Sequence, residues 1–437
     1  MNQISSTRLL QRSRRFLLLA ALAACLSAGA AAQQKTTGSD APPGNGVESL
    51  LAYARERNPE LAASRHEADA AGERVAPAGA LADPKFRTEL RDITRSGEQN
   101  ATLSPSRVGS TKYLLMQDLP WYGKRDLKRE VAEAEADGAQ GRAQATWSEL
   151  AAKLKTGYAQ LWYVRSNEAL MLEILDLLRR FEKVAQARYA GGLAAQQDVI
   201  RAQVEQTAIR NELLMLDNER HHLQTRINTL LARPAMAPLA EPDRLRPLPS
   251  PAKLDAAALE DRVRAGNPQL FSDSARVRAA EKSRELTYRN RFPDFTVGVS
   301  PIQYQSSVKE WELMVEMNIP LQQSSRRAQE RESEAMLSAA RARKDASTNQ
   351  LLGELSENLG AIETARRTEM LATTSLLPQA ELSFRAALAG YENGKVDFGT
   401  LIEAQKQIRL ARQNRIKAQA EAQIRLAEIE RLLGEEL

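Results

Sequence analysis

The chain has 437 residues, of which 5% are aromatic and 27% charged. Length alone would allow two or three domains, but this balance of few aromatics and many Ala, Leu, Glu, Gln and Arg residues is that of long helices or coiled coils. The formal charge of +5 falls to +1 once the four arginines of the first 24 residues are set aside, so the net charge does not support a basic surface for nucleic acid.

Residues 1–24 read as a secretory signal. Arg8, Arg12, Arg14 and Arg15 precede an apolar run from Phe16 to Ala24 that is too short to span a bilayer. The run ends in Leu22-Ala23-Ala24-Cys25, which resembles the bacterial lipoprotein box. Its thiol would then carry a diacylglycerol, making Cys25 the lipidated N-terminus. Ordinary cleavage at Ala30-Ala31-Ala32 is the alternative. Cys25 is the only cysteine, so no intramolecular disulfide is expected. Residues 25–46 read as a tether rich in Ala, Gln, Thr, Gly and Pro.

A first repeat is expected over 47–232. It opens with a helix from Val47 to about Ala76, bent or restarted at Pro59 and closed by Pro77 and Gly79. A strand pair follows within 85–119. Phe86, Thr88 and Leu90 alternate with Arg87, Glu89 and Arg91, and Tyr113 to Leu119 forms the second strand, ended by Pro120. A helical hairpin then runs over 121–232. Its outward arm holds no proline from Trp121 to Ala190, roughly 100 Å of helix at 1.5 Å per residue. Leu170, Ile174, Leu177, Phe181 and Val184 mark a heptad seam on this arm, and Leu216, Leu223 and Leu230 continue it on the return. Six prolines make 233–252 an extended linker.

The second repeat, 253–437, copies the first. Asn267-Pro268-Gln269-Leu270 matches Asn58-Pro59-Glu60-Leu61. A strand pair is expected within 294–319, where Phe295, Val297 and Val299, then Trp311, Leu313, Val315, Met317 and Ile319, alternate with polar residues. A second helical hairpin fills 321–437, its outward arm read as continuous from about Leu321 to Gly390. At the tips, Tyr189, Gly192, Ile200, Ala202 and Gln203 correspond to Tyr391, Gly394, Ile402, Ala404 and Gln405, each pair 202 residues apart.

The strands are about as long as tilted membrane strands, with one apolar face. Four strands cannot close a barrel, and open edges are not tolerated in lipid. Three chains would supply twelve. The fold expected is therefore mainly α with membrane β, a homotrimer forming a 12-stranded β-barrel continued by a 12-helix α-barrel.

With the duplicated Asn-Pro-x-Leu openings, strand pairs and tips, the chain resembles the TolC-like outer membrane factor family over nearly the whole mature sequence. Leu119-Pro120-Trp121-Tyr122-Gly123-Lys124-Arg125 is similar to its heavy-metal efflux branch. The resemblance implies a bacterial outer membrane duct projecting into the periplasm, working with a periplasmic adaptor and an inner-membrane resistance-nodulation-division transporter. It would be a passive exit for heavy-metal cations, or alternatively for drugs or other small organic compounds. A periplasmic adaptor or coiled-coil scaffold is the rival from another class.

The resemblance also implies a gate at the periplasmic tips. Gly192 and Gly394 allow the reversals. Asp198 and Glu403 match acidic family positions, and Tyr391 matches a family tyrosine, with Tyr189 its duplicate. The family's arginine partner of that tyrosine falls at Val396 and one acidic ring position falls at Thr400, so Lys395 is the substitute partner expected. Asp198 and Asp397 also suit helix N-termini on their own account. Three copies of Glu403 would make a cation-attracting ring. No enzyme, metal or cofactor constellation stands out. His66, His221 and His222 lack metal-pair spacing, and Met116, Met314 and Met317 suit packing better than copper.

Overall fold

The structure is a computed structural model that describes residues 42–94 and 101–437. Cys25, the signal segment and the tether up to residue 41 lie outside the described residues.

The helix expected over Val47 to Ala76 is restarted at Pro59, giving α1 (Val47–Arg57) and α2 (Pro59–Glu73), and the short α3 (Val75–Gly79) follows. The break has a local cause. Asn58 caps α2 by accepting from Leu61 N at 2.9 Å, and Pro59 sits at the first helical position, where its missing N–H is harmless. The Asn58 amide also donates to the Leu230 carbonyl at 2.8 Å, 172 residues away. Asn267 repeats both contacts, accepting from Leu270 N at 2.9 Å and donating to the Leu432 carbonyl at 2.8 Å. The Asn-Pro-x-Leu motif therefore starts a helix and fastens it to the far end of its own repeat's return arm.

β1 (Lys85–Arg91), β2 (Ser110–Leu119), β3 (Phe295–Tyr304) and β4 (Ser307–Met317) form one antiparallel sheet in the order β1-β2-β3-β4. The two strand pairs thus join edge to edge through β2 and β3. Its register sorts the faces. Phe86, Leu115, Val299 and Leu313 lie side by side across all four strands, as do Leu119, Phe295 and Met317 across three. On the other face run Glu89, Lys112, Ile302 and Glu310, and Asp118, Thr296 and Glu316. The apolar face is bare: Phe86 is 66% exposed and Leu313 is 76% exposed. β1 and β4 each keep one unpaired edge.

The arms are α4 (Lys124–Ala190) and α5 (Gln196–Leu230) in the first repeat. After the linker come α6 (Ala256–Gly266) and α7 (Pro268–Arg289). The second hairpin is α8 (Gln323–Leu371), a π-helical turn at Ala372–Leu376, α9 (Leu377–Glu392) and α10 (Phe398–Leu433). The outward arm expected as one helix is thus interrupted. Pro378, one residue into α9, has no N–H to give to the preceding turn, and the widened π turn just before it takes up the misfit. Among the described residues no helix is long and apolar enough to cross a membrane.

The buried stripe on α4 is wider than a two-position seam. Leu170, Met171, Ile174, Leu175, Leu178, Phe181 and Ala185 are buried, whereas Val184, expected in the seam, is exposed. A strict 3.5-residue repeat drifts round a straight helix, and by the fourth turn Ala185 has replaced it. Small residues let α4 approach its neighbours. A Cβ on Gly141 would lie 2.9 Å from the Phe271 ring and 3.0 Å from Ser272 N on α7, and one on Gly157 would lie 3.1 Å from Ile227 on α5.

The linker is pinned rather than free. Tyr158 donates to the Arg244 and Asn45 carbonyls at 2.9 and 3.1 Å, and Gln423 donates to the Arg246 carbonyl at 2.6 Å. Glu430 of α10, almost fully buried, is bridged by Lys155 of α4 at 2.8 Å and by Arg246 of the linker at 2.8 Å. Burial alone would raise the Glu430 carboxyl, but the two cations hold it below its ordinary value.

Candidate gate at the hairpin tips

Both tips are built the same way. At the first, Leu193 N donates to the Arg188 carbonyl at 2.8 Å and Gly192 N to the Tyr189 carbonyl at 2.9 Å. At the second, Lys395 N donates to the Gly390 carbonyl at 2.8 Å and Gly394 N to the Tyr391 carbonyl at 3.1 Å. These are Schellman closures, and Gly192 and Gly394 both take φ +70°, where a Cβ is strained. The return helices start differently. Asp397 caps α10, accepting from both the N–H and the hydroxyl of Thr400 at 2.7 Å, which lowers its carboxyl below the ordinary value. Asp198 lies in the first turn of α5 without capping it.

One apolar cluster unites the two tips. It contains Phe181 and Ala185 of α4, Ala202 and Ile209 of α5, Ala387 and Tyr391 of α9, and Phe398, Leu401 and Ile402 of α10. Phe181 meets Phe384 at 6.0 Å between ring centroids, and Tyr391 meets Phe398 at 5.3 Å. Tyr391 is buried, and its hydroxyl has no hydrogen-bond partner. Tyr189, its duplicate, is half exposed. The equivalence in sequence is therefore not an equivalence in place.

Lys395 does not partner Tyr391. Its side chain is exposed, and the cation at Tyr391 is Arg188, which comes from the other hairpin. The Arg188 guanidinium stands 4.9 Å from the centre of the Tyr391 ring. Its Nη1 donates to the Tyr391 and Glu392 carbonyls, both at 3.0 Å. Those carbonyls close α9, so the cation also sits at the negative end of a helix. Arg188 opens the tip stretch Arg188-Tyr189-Ala190-Gly191-Gly192, but the sequence assigns it no partner. The one signal for it is its place three residues before Gly191, in the last turn of a helix, where a cation is favoured.

Burial raises the Asp198 carboxyl; Arg201 opposes the rise, Asp397 adds to it, and Arg188 opposes it. Burial likewise raises the Tyr391 hydroxyl, helped by the charge of Asp198 and opposed by Arg188. Asp198 thus acts on Arg188 and Tyr391 through space, with no hydrogen bond or ion pair to either among the described residues. Glu403 is separate. It is exposed on α10, in a cleft of about 450 Å³ between α5 and α10 that also holds Arg201, Glu205 and Lys406. Lys406 is taken by Glu205 at 2.6 Å, which leaves Glu403 outside that ion pair.

Further up, the hairpins are riveted by charge: Arg409 to Glu212 at 3.1 Å and Arg412 to Glu173 at 2.8 Å. Among the described residues no group of three His, Cys, Asp or Glu side chains is placed to hold a metal ion.

The family model described as outer membrane efflux protein matches residues 50–233 and 259–435, which are the two repeats. The cobalt-zinc-cadmium resistance protein CzcC of Cupriavidus metallidurans is 24% identical over 392 residues, covering 89% of this chain and 90% of that protein. Among solved structures, the outer membrane protein VceC of Vibrio cholerae superposes with a TM-score of 0.75 at 15% identity, over 89% of this chain and 96% of that one. The structure of CusC superposes with a TM-score of 0.76 at 14% identity, over 92% and 96%.

Proposed function

This chain belongs to the outer membrane efflux protein family, and from that premise we propose that it is the exit duct of a tripartite pump for heavy-metal cations. The observation that carries the reading is the open-edged sheet. Its apolar face is bare, both edges are unpaired, and every strand runs into or out of a helix. Such a sheet is unstable in water and in lipid alike until its edges are covered. Three copies pairing β4 of one to β1 of the next give twelve strands, enough to close a barrel. The helices below then close into a second, longer tube. An inner-membrane transporter would supply the energy and an adaptor would join it to the tips. The metal assignment leans on the likeness to a cobalt-zinc-cadmium resistance protein.

In this reading the tips close the duct. Arg188 and Tyr391 hold the second hairpin against the first, with the Asp198 charge nearby, Asp397 and the two tip glycines fix the turns, and Glu403 lines the narrowed end as a ring of three carboxylates. Such a ring concentrates cations and repels anions.

Mass and negative-stain imaging of the detergent-extracted protein test the duct. A trimeric rod well over 100 Å long, the length of α4 alone, is expected. A monomer, or a compact particle, would overturn it. For the cargo, a strain lacking the chain should lose resistance to cobalt, zinc or cadmium salts. Sensitivity to organic compounds with unchanged metal resistance would reassign the duct.

A further inference from the structure

The sheet ends abruptly in a band of aromatic and aliphatic side chains. Trp121 stacks on Phe292 at 5.1 Å and on Phe295 at 6.0 Å, and Phe295 belongs to the apolar face. Tyr122, next to Trp121, is 85% exposed, and Ile319 and Leu321, just after β4, are 59% and 81% exposed. Bare amphipathic rings at the end of an apolar strand face mark a membrane–water boundary.

Just beyond that band the charge changes character. Lys128 lies in the first two turns of α4, Arg326 and Arg327 in the first two turns of α8, and Arg289 is the last residue of α7. The Arg289 guanidinium stands over the turn after Trp121, 4.0 Å from where a Cβ on Gly123 would be.

Four acids of this zone are already engaged. Asp294 accepts from Lys124 and from Trp121 N, both at 2.8 Å, and Glu330 takes a two-pronged bond from Arg291 at 2.5 and 2.7 Å. Glu130 is bridged by Lys282 at 2.8 Å, and Asp126 has Arg129 at 3.7 Å. Lys128, Arg289, Arg326 and Arg327 form no direct ion pair among the described residues; Lys128 acts on Asp294, and Arg326 and Arg327 on Glu330, only at longer range. Arg326 gives one nitrogen to the Asn290 carbonyl, while its Nε is buried with no partner. It lines a polar cleft of about 300 Å³ with Lys124, Asn290 and Asp294.

Distance and direction agree with a lipid headgroup. Two turns of helix span about 11 Å, and a headgroup layer is roughly 5 to 8 Å deep on each side of the hydrocarbon. α4 and α8 both begin at the sheet and run away from it. Helical side chains tilt toward the N-terminus, so Lys128, Arg326 and Arg327 lean back toward the band. Long cationic side chains beside an aromatic belt are placed to keep their stems in the apolar layer and their heads among phosphates.

We propose that this collar of surplus cations, directly below the aromatic band, binds the phosphate headgroups of anionic glycerophospholipids in the leaflet that faces the helices. The inference rests on the membrane reading of the sheet. Its role is to set the depth of the duct and to select charged lipid around it. A metal-exporting duct gains from the arrangement, because phospholipid phosphates neutralise cations that would otherwise repel the cargo.

The test uses the full chain, extracted in mild detergent and transferred into vesicles of phosphatidylcholine alone or with phosphatidylglycerol. Native mass spectrometry then reads the lipid retained. The unaltered chain should keep phosphatidylglycerol over phosphatidylcholine. The triple change Lys128→Gln, Arg289→Gln and Arg327→Gln, all at exposed positions, should lower that preference on the order of a hundredfold. The charge-keeping set Lys128→Arg, Arg289→Lys and Arg327→Lys should retain it, which separates charge from misfolding. Equal preference in the unaltered chain and the glutamine variant overturns the proposal. So does displacement of the lipid by inorganic phosphate at matched concentration, which would make the site one for the free anion. A chain that enters neither kind of vesicle refutes the membrane reading itself.

Discussion

Replacing Arg188 by glutamine tests whether the tips are tied together by the contacts described. The change removes the two hydrogen bonds from Nη1 to the Tyr391 and Glu392 carbonyls, both 3.0 Å, and the stacking of the guanidinium 4.9 Å from the Tyr391 ring. Hydrogen bonds from a charged donor contribute about 1.5 to 3 kcal/mol net. Arg188 is only half-buried and one nitrogen serves both acceptors, so the lower figure applies to the pair. The cation–π contact adds about 0.5 to 1 kcal/mol. The tie is then worth about 2 kcal/mol per protomer, or roughly thirtyfold in the open-to-closed ratio of one protomer. If three protomers open together, the effect multiplies. Conductance of the purified protein in planar bilayers reads it directly. R188Q should open far more often than the unaltered channel, and R188K, which keeps the charge but loses the planar fork, should fall between. K395Q should change nothing, because that side chain stands in solvent. A correctly assembled R188Q channel with unaltered conductance and open probability would refute the reasoning.

Asn58→Ala and Asn267→Ala should each cost about 1 to 2 kcal/mol in thermal or denaturant unfolding, since each loses a cap and a buried tie to a distant carbonyl. Glu430→Gln leaves Arg246 without a carboxylate and Lys155 with only the exposed Glu436, and should destabilise by about 3 kcal/mol. The same network gives a pH dependence. The Glu430 carboxyl is held below its unfolded value, so its contribution is complete above that value and is lost as pH falls through the folded one. Acid unfolding monitored by circular dichroism should begin at higher pH when Lys155 is replaced by Met. Leu313→Lys, on the bare apolar face near the middle of β4, should cost about 2 to 4 kcal/mol of stability in the membrane, whereas Glu316→Lys on the opposite face should be tolerated. Equal costs at both positions would mean the faces are assigned wrongly.

The duplication and its landmarks are readable along the chain because proline, glycine and period are local signals. Asn58-Pro59 marks a helix start from sequence alone, but not that its amide reaches Leu230, because that contact depends on where a helix 172 residues later ends. Pairing of β2 with β3 is hidden for the same reason. The α8–α9 interruption was within reach: Pro378 stands in plain view, and a proline inside a helical pattern calls for a kink or a bulge. Arg188 was not. A residue at the end of one hairpin carries no mark of which helix end it will meet in another. Val184 shows a subtler limit, since a heptad read too far along a straight helix rotates off the face it began on.

The π turn at Ala372–Leu376 bears on how a duplicated chain stays symmetric. Pro120 and Pro320 are 200 residues apart, but Gly192 and Gly394 are 202 apart, so the second outward arm carries two more residues than the first. In an uninterrupted helix each added residue would turn everything beyond it by 100°. Phe384, Ala387 and Tyr391 would then leave the core they share with Phe181. A wide turn absorbs surplus length where it occurs. The two halves of the gene are thereby free to differ in length while their ends still meet, tip beside tip.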